Sequence, residues 1–233
     1  MKSKVLLIQQ FFGLGDQLFA MTIAHDYIKE GYKVLWPVLP SLVEGLNRAY
    51  PKVTFIDYNL VKVNYENREF KEFDGVLMLP MRYSERLMNR PYKDHMISKY
   101  EYLKKDWKRW KHTMFERDYE KENKLVKHLG IDREPYNLVS TIFGSNAEHK
   151  IDIKVNNEYR NIEMQNIPGF SLFDWSLVIE NAATIHAVSS ASLYLFELLT
   201  LVAKEVHIYN RTPIEKNLDY VRFLFSKNYI LHE

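Results

Sequence analysis

The segment from Val5 to Val38 (VLLIQQFFGLGDQLFAMTIAHDYIKEGYKVLWPV) limits this chain to one class of fold. It opens with an unbroken apolar run, Val5-Leu6-Leu7-Ile8, the pattern of a strand buried on both faces of a parallel sheet. Gly13-Leu14-Gly15-Asp16 then breaks the pattern with two glycines, which permit a tight turn and a close approach of backbone to a ligand. From Gln17 the period changes. Ala20, Ile23, Ala24, Tyr27 and Ile28 fall at three- and four-residue steps, as on the apolar face of a helix. Gly31 stands where such a helix stops, and Val34-Leu35-Trp36 reads as a second strand closed by Pro37 and Pro40. The unit is β-α-β, with a glycine turn between its first strand and its helix.

At the carboxyl end of a parallel strand, such a turn aims backbone N–H groups and a helix N-terminus into a crevice, usually at an anion. The dinucleotide fingerprint G-x-G-x-x-G needs a third glycine where this chain has Leu18. It also needs an acidic residue after the second strand, where Trp36-Pro37-Val38 stands instead. A P-loop fails as well, because no G-K-[ST] follows. Two readings stay open: a ligand-binding turn made by Gly13, Leu14, Gly15, Asp16 and Gln17, or a turn that only joins two elements. Asp16 is likewise either a general base or a helix N-cap that satisfies the N–H of Leu18 or Phe19.

Further strand patterns follow at Val53–Asp57 and Val76–Leu79, with a short helix between Ser41 and Ala49, so the parallel sheet continues. The interval from Asn59 to Phe73 has no clear period and reads as irregular. From Arg82 to Lys127 basic residues outnumber acidic ones and are interleaved with Tyr, Trp and Met, which predicts two helices separated near Thr113. Such a face suits RNA or single-stranded DNA, an oligosaccharide acceptor, or plain solvent over a core-facing stripe. Gly130-Ile131-Asp132-Arg133-Glu134-Pro135 carries the turn residues of a domain boundary, giving domains 1–131 and 132–233.

A second α/β series fills the rest. Strands are expected at Asn137–Phe143, Arg160–Met164, Thr184–Val188 and Val206–Tyr209, with helices from Asp174 to Ala182 and from Leu193 to Ala203. Small polar residues follow two of these strands: Gly144-Ser145-Asn146, with Lys150 beyond it, and Ser189-Ser190-Ala191-Ser192 after His186. Hydroxyls and N–H groups at a strand-to-helix junction suit a phosphate, or they are helix caps.

Composition removes several classes. No cysteine is present among the 233 residues, which excludes disulfides, thiolate metal sites and cysteine nucleophiles. The net charge of +2 makes nucleic acid an unlikely main partner. No apolar run approaches the roughly 20 residues of a membrane span, and the amino terminus lacks a signal-peptide pattern, so a cytoplasmic location is expected. No G-x-S-x-G points to a serine hydrolase. Neither an H-x-x-x-H nor a D-x-D pair is present; Asp152-Ile153-Lys154 is the nearest approach to the latter, so no metal is expected.

Strand, Gly13-Leu14-Gly15-Asp16-Gln17-Leu18, then helix resembles the amino-terminal loop of GT-B glycosyltransferases. It is similar to the GLGD turn of heptosyltransferases and, through Gln17-Leu18-Phe19, to the GLGNQLF turn of some fucosyltransferases. The stretch FDWSLVIENAATIHAVSSASLYLFELL (173–199) resembles the donor-binding segment of the same enzymes. The resemblance implies two Rossmann-like domains whose parallel sheets face a cleft, and a sugar passed from a nucleotide-sugar donor to a glycan or glycolipid-type acceptor. It implies that Asp16 is the base, although the fucosyltransferase-like pattern carries Asn there. Gly13, Leu14, Gly15 and Gln17 would line the site on one side. Ser145, Asn146, Lys150, Asp174, His186, Ser189, Ser190 and Ser192 would meet the donor on the other, with no cofactor besides the donor itself. A non-catalytic nucleotide- or RNA-binding module acting through residues 82–127 is the alternative.

Overall fold

The computed structural model describes residues 4–10, 13–61, 71–73, 76–80, 92–131, 134–143, 149–155, 158–211 and 218–233. The chain forms two compact units, Met1–Glu116 and Arg117–Glu233, each built on a five-stranded sheet.

In the first unit, β1 (Lys4–Gln9) lies at the centre of the order β3-β2-β1-β5-β4. It pairs in parallel with β2 (Tyr32–Val38) and β5 (Val76–Pro80), and β2 pairs in parallel with β3 (Thr54–Asp57). Its apolar run is buried on both sides, as a central parallel strand requires. Residues 71–73, expected to be irregular, instead form β4 (Lys71–Phe73), an antiparallel edge to β5. A 3-10 turn occupies Tyr58–Leu60, and residues 62–70 lie outside the described set.

Helix α1 (Leu14–Lys29) begins earlier than its hydrophobic period suggests, immediately after Gly13. It is also buried more completely. Leu18, Phe19, Met21 and Thr22 are enclosed as well as Ala20, Ile23 and Ala24. A helix that is enclosed all round has packing partners on more than one side. The additional partners are α3 (Tyr92–Glu101) and a 3-10 turn at Trp107–His112, whose Trp110 ring lies 5.6 Å from that of Phe19. Helix α2 (Pro40–Ala49) starts on its proline, at the position where the missing N–H costs nothing.

In the second unit the order is β12-β11-β10-β6-β9, all parallel: β6 (Tyr136–Ser140), β9 (Arg160–Glu163), β10 (Thr184–Val188), β11 (Glu205–Tyr209) and β12 (Ile230–His232). Residues 142–143 belong to a separate two-stranded ribbon, β7 (Ile142–Phe143) with β8 (His149–Lys150). Helix α4 (Tyr119–His128) lies in this unit, before the boundary expected near residue 131. It packs on α5 (Ser176–Glu180) and on the 3-10 turn Leu172–Trp175. Arg117 fastens this join by donating to Glu122 of α4 and to Glu180 of α5. Glu122 is fully buried, and its hydrogen bond raises the Arg117 guanidinium further above its ordinary range.

Helix α6 (Ser192–Leu198) is shorter than expected. The chain turns extended at Leu199, and the N–H groups of Val202 and Lys204 donate to Glu180 and Ala183 carbonyls instead of continuing the helix. Helix α7 (Asp219–Leu224) and β12 were not foreseen, since three to six residues give too little period to read.

The sheet order has a consequence for its two faces. The connections β9-α5-β10, β10-α6-β11 and β11-α7-β12 all step in one direction, and right-handed crossovers put their helices on one face. Tyr136, Leu138, Ile185, Ala187, Val206 and Ile208 form that face, with the Tyr136 hydroxyl donating to the Val178 carbonyl of α5. The opposite face carries Asn137, Thr184, His186, His207, Tyr209 and His232.

Candidate functional site

Gly13 is the N-cap residue of α1, with φ +79°, a backbone region that side chains rarely adopt. Its carbonyl accepts the N–H of Gln17, closing the first helical turn. The N-cap position is therefore Gly13 and not Asp16. It is the third helical residue, and its carboxylate folds back over Gly13, where a Cβ would stand 2.5 Å from Oδ2. An acidic group in the first turn is favoured there by the helix dipole. The space directly over the Gly13 turn is therefore held by the protein's own carboxylate.

The partner of that carboxylate escaped the sequence reading. Lys99 Nζ donates to Asp16 Oδ1 at 2.7 Å, and Lys99 is only 4% exposed. A signal existed: Met96, Lys99 and Tyr100 fall at i, i+3 and i+4, which places the lysine on the apolar stripe of α3. Tyr100 fixes that stripe against α1, donating to the Phe19 carbonyl and setting its ring edge-on to the Phe19 ring at 5.3 Å. Further along α1, Asp26 accepts from Lys105 and from both terminal nitrogens of Arg109. Burial pushes the Asp26 carboxyl up, but these two cations outweigh it and hold the group below its usual range. Thus three cations of the basic aromatic region are matched to two acids of α1. Gln17, fully buried, donates to the Gln10 carbonyl at 3.4 Å, and Trp36 Nε1 donates to the same carbonyl at 2.9 Å. Gln17 thus ties the helix back to the end of β1.

In the second unit the serine turn follows β10. Ser189 is fully buried and its N–H donates to the Tyr209 carbonyl, which extends the pairing of β10 with β11 by one residue. Ser190 is half-buried, and its Oγ lies 2.9 Å from that of buried Ser192. Neither hydroxyl caps α6, whose N-cap position is Ala191. Of the three serines, Ser190 is the least buried. His186 lies three residues before Ser189, within β10. Its ring stacks on His207 at 4.4 Å, and its Nδ1 lies 3.2 Å from the Tyr209 hydroxyl. Burial, and then the charges of His207 and His232, lower its pKa to about 4.

Two other candidates are engaged elsewhere. Asp174, 1% exposed, closes a capping box by accepting from the N–H and hydroxyl of Ser171, so its carboxylate organises the chain locally. Lys150 is exposed on β8 and pairs with Glu163 at 2.8 Å. Ser145 and Asn146 lie outside the described residues. Among the described residues no group of three or more His, Asp or Glu is arranged to hold a metal ion, and no helix is long and apolar enough to cross a membrane.

The sequence matches no protein-family profile and no curated protein. Its fold, however, is similar to those of solved glycosyltransferases. The glycosyl transferase family 9 protein from Veillonella parvula aligns with a TM-score of 0.56 at 9% identity, over 100% of this chain and 87% of that one. TibC, the iron-containing dodecameric glycosyltransferase of enterotoxigenic E. coli, aligns with a TM-score of 0.50 at 12% identity, over 89% of this chain and 58% of that one. TibC in complex with ADP-D-β-D-heptose, where it is termed a heptosyltransferase, gives 0.51 at 11% identity, over 98% and 61%. This chain thus spans less than two thirds of the length of TibC. At these identities the likeness is one of fold, and it agrees with the GT-B resemblance carried by the Gly13 turn and residues 173–199.

Proposed function

We propose that this chain is a glycosyltransferase that moves a sugar from a nucleotide-diphosphate-sugar donor to a hydroxyl of a glycan or glycolipid-type acceptor without a metal ion. The observation that carries this reading is the placement of Asp16. It is a carboxylate at the carboxyl end of the central strand of a parallel sheet, where α/β folds place their ligands. The fold shared with glycosyltransferases, and the serine turn at the carboxyl end of β10, support it further.

In the reaction the acceptor hydroxyl gives its proton to the Asp16 carboxylate. The acceptor oxygen forms a bond to the anomeric carbon as that carbon's bond to the phosphate oxygen breaks. The bonding electrons leave with the nucleoside diphosphate. Asp16 is the general base. The hydroxyl of Ser190 would meet the growing charge on the diphosphate, a contribution that matters most where water is excluded. The sequence has no D-x-D pair to supply a metal for that purpose.

A thermal-shift screen in EDTA against ADP-D-β-D-heptose, GDP-fucose and UDP-glucose tests the proposal. A donor at 100 times its Kd adds about 2.7 kcal/mol to stability, a shift well within detection. At least one donor is expected to raise Tm. No shift with any nucleotide sugar, together with RNA binding that collapses as salt is added, would favour the nucleic-acid module instead.

A further inference from the structure

We propose that Lys99 is the positioning residue for the Asp16 carboxylate, holding Oδ1 so that the acceptor's proton is received at a fixed Oδ2. The inference rests on the reading of Asp16 as the base. Its observations are the 2.7 Å ion pair, the burial of Lys99, and the way α3 is keyed onto α1.

An aspartate at an exposed helix start samples several rotamers. Asp16 does not have that freedom, because the lysine side chain is 1% exposed and its ammonium lies in the interior. Turning the carboxylate away would break an ion pair whose ammonium is buried, which is costlier than breaking a surface pair. The ammonium is itself fixed. Met96 Sδ, one turn back on the same helix, lies 3.4 Å from Nζ, and the neighbouring Tyr100 donates to the Phe19 carbonyl, so α3 cannot slide along α1 without losing that bond. With Oδ1 tied to Lys99, the carboxylate plane is set and Oδ2 lies over Gly13.

Asp26 shows what an ordinary tie on the same helix looks like. Its cations, Lys105 and Arg109, are partly exposed, and either can release without stranding a charge in the interior. A buried pair is a poor device for stability alone, since an apolar pair of similar volume usually does as well. At Asp16 it supplies geometry, to which proton transfer in an active site is sensitive.

The test measures nucleoside diphosphate release from whichever of ADP-D-β-D-heptose, GDP-fucose or UDP-glucose raises Tm. Wild type, Lys99→Met, Asp16→Asn and the double variant are compared. Lys99→Met is expected to fold and to lower kcat by about 10- to 100-fold, the scale of a misplaced catalytic group, with the donor KM within about twofold. The double variant is expected to be no slower than Asp16→Asn alone, because both changes disable one unit. Multiplying losses in the double variant, or wild-type kcat in Lys99→Met, would reduce Lys99 to a structural lysine. Should Lys99→Met not fold, Lys99→Gln, which keeps a donor toward Oδ1, is expected to fall between wild type and Asp16→Asn; wild-type kcat there overturns the proposal. If Asp16→Asn itself turns over like wild type, this inference falls together with the base assignment. A donor-dependent thermal shift would then still support the glycosyltransferase reading.

Discussion

The carboxylate of Asp16 rests against the Cα of Gly13, so closely that a Cβ on residue 13 would stand 2.5 Å from Oδ2. Glycine is required there twice over, by its φ of +79° and by the oxygen above it. Gly13→Ala is expected to destabilise the first unit by about 1–2 kcal/mol from backbone strain. It should also cut turnover more than stability, because the carboxylate must shift to admit the methyl group. Urea unfolding and donor turnover on the same preparation separate the two effects; unchanged turnover would show that Oδ2 has no part in the chemistry.

Asp16→Asn removes the base and leaves the Lys99 ammonium facing a neutral amide. Turnover is expected to fall by ~10²–10⁴-fold. Stability is expected to fall too, by about 1–3 kcal/mol, since a hydrogen bond between charged groups is weakened at a buried site. The loss would not arise from helix capping, a role that Gly13 holds. Calorimetric unfolding of Asp16→Asn alongside Asp16→Asn/Lys99→Met checks the origin of the cost: the double variant should recover part of it.

At the serine turn, Ser190→Ala is expected to weaken nucleotide-sugar binding by about 10- to 100-fold, the equivalent of one hydrogen bond to a charged group. The melting temperature should hardly move. Ser189→Ala should behave differently, with donor binding kept, because its N–H is engaged with Tyr209 and the residue is fully buried. Isothermal titration with the donor found by thermal shift distinguishes them. Equal affinities for wild type and Ser190→Ala would remove the turn from the donor site.

His186 titrates with a lowered pKa, to about 4, so the folded chain binds fewer protons there than the unfolded chain between that value and the ordinary 6.5. Stability is therefore full above pH 6.5 and declines as pH falls toward 4, where the folded-state group finally protonates. The shift corresponds to roughly 3 kcal/mol at its limit. His232 shares this face, and burial, then the charge of His207, lower its pKa as well, so it adds to the same acid sensitivity. His186→Phe is expected to flatten the pH dependence of urea midpoints between 6.5 and 4. An unchanged slope would place the acid sensitivity elsewhere.

Period and turn chemistry carried most of this fold into view. β1, α1, β2, β10 and β11 were readable because parallel strands are apolar throughout and glycines punctuate them. The fully enclosed α1 was less so, because its second apolar side reads as noise until α3 is known to cover it. Asp16 could be singled out from its neighbours in sequence, whereas Lys99 stands 83 positions away and only tertiary structure joins them. Asp174 shows a limit of the sequence in physical terms. A carboxylate at the start of a helical segment looks the same whether it faces a ligand or the N–H of Ser171.

Enclosure of α1 has a further result for how the first unit opens. Helix ends normally fray, and catalytic groups on them sample open states without the rest of the domain. The amides following Asp16 lie beneath Phe19, Tyr100 and Trp110, with Tyr100 bonded to the helix backbone itself. Their hydrogen exchange should report the opening of the whole unit rather than of one turn. Asp16 is thus mounted on one of the last segments of the unit to come apart, so any denaturant that silences turnover without releasing those amides must be acting elsewhere in the chain.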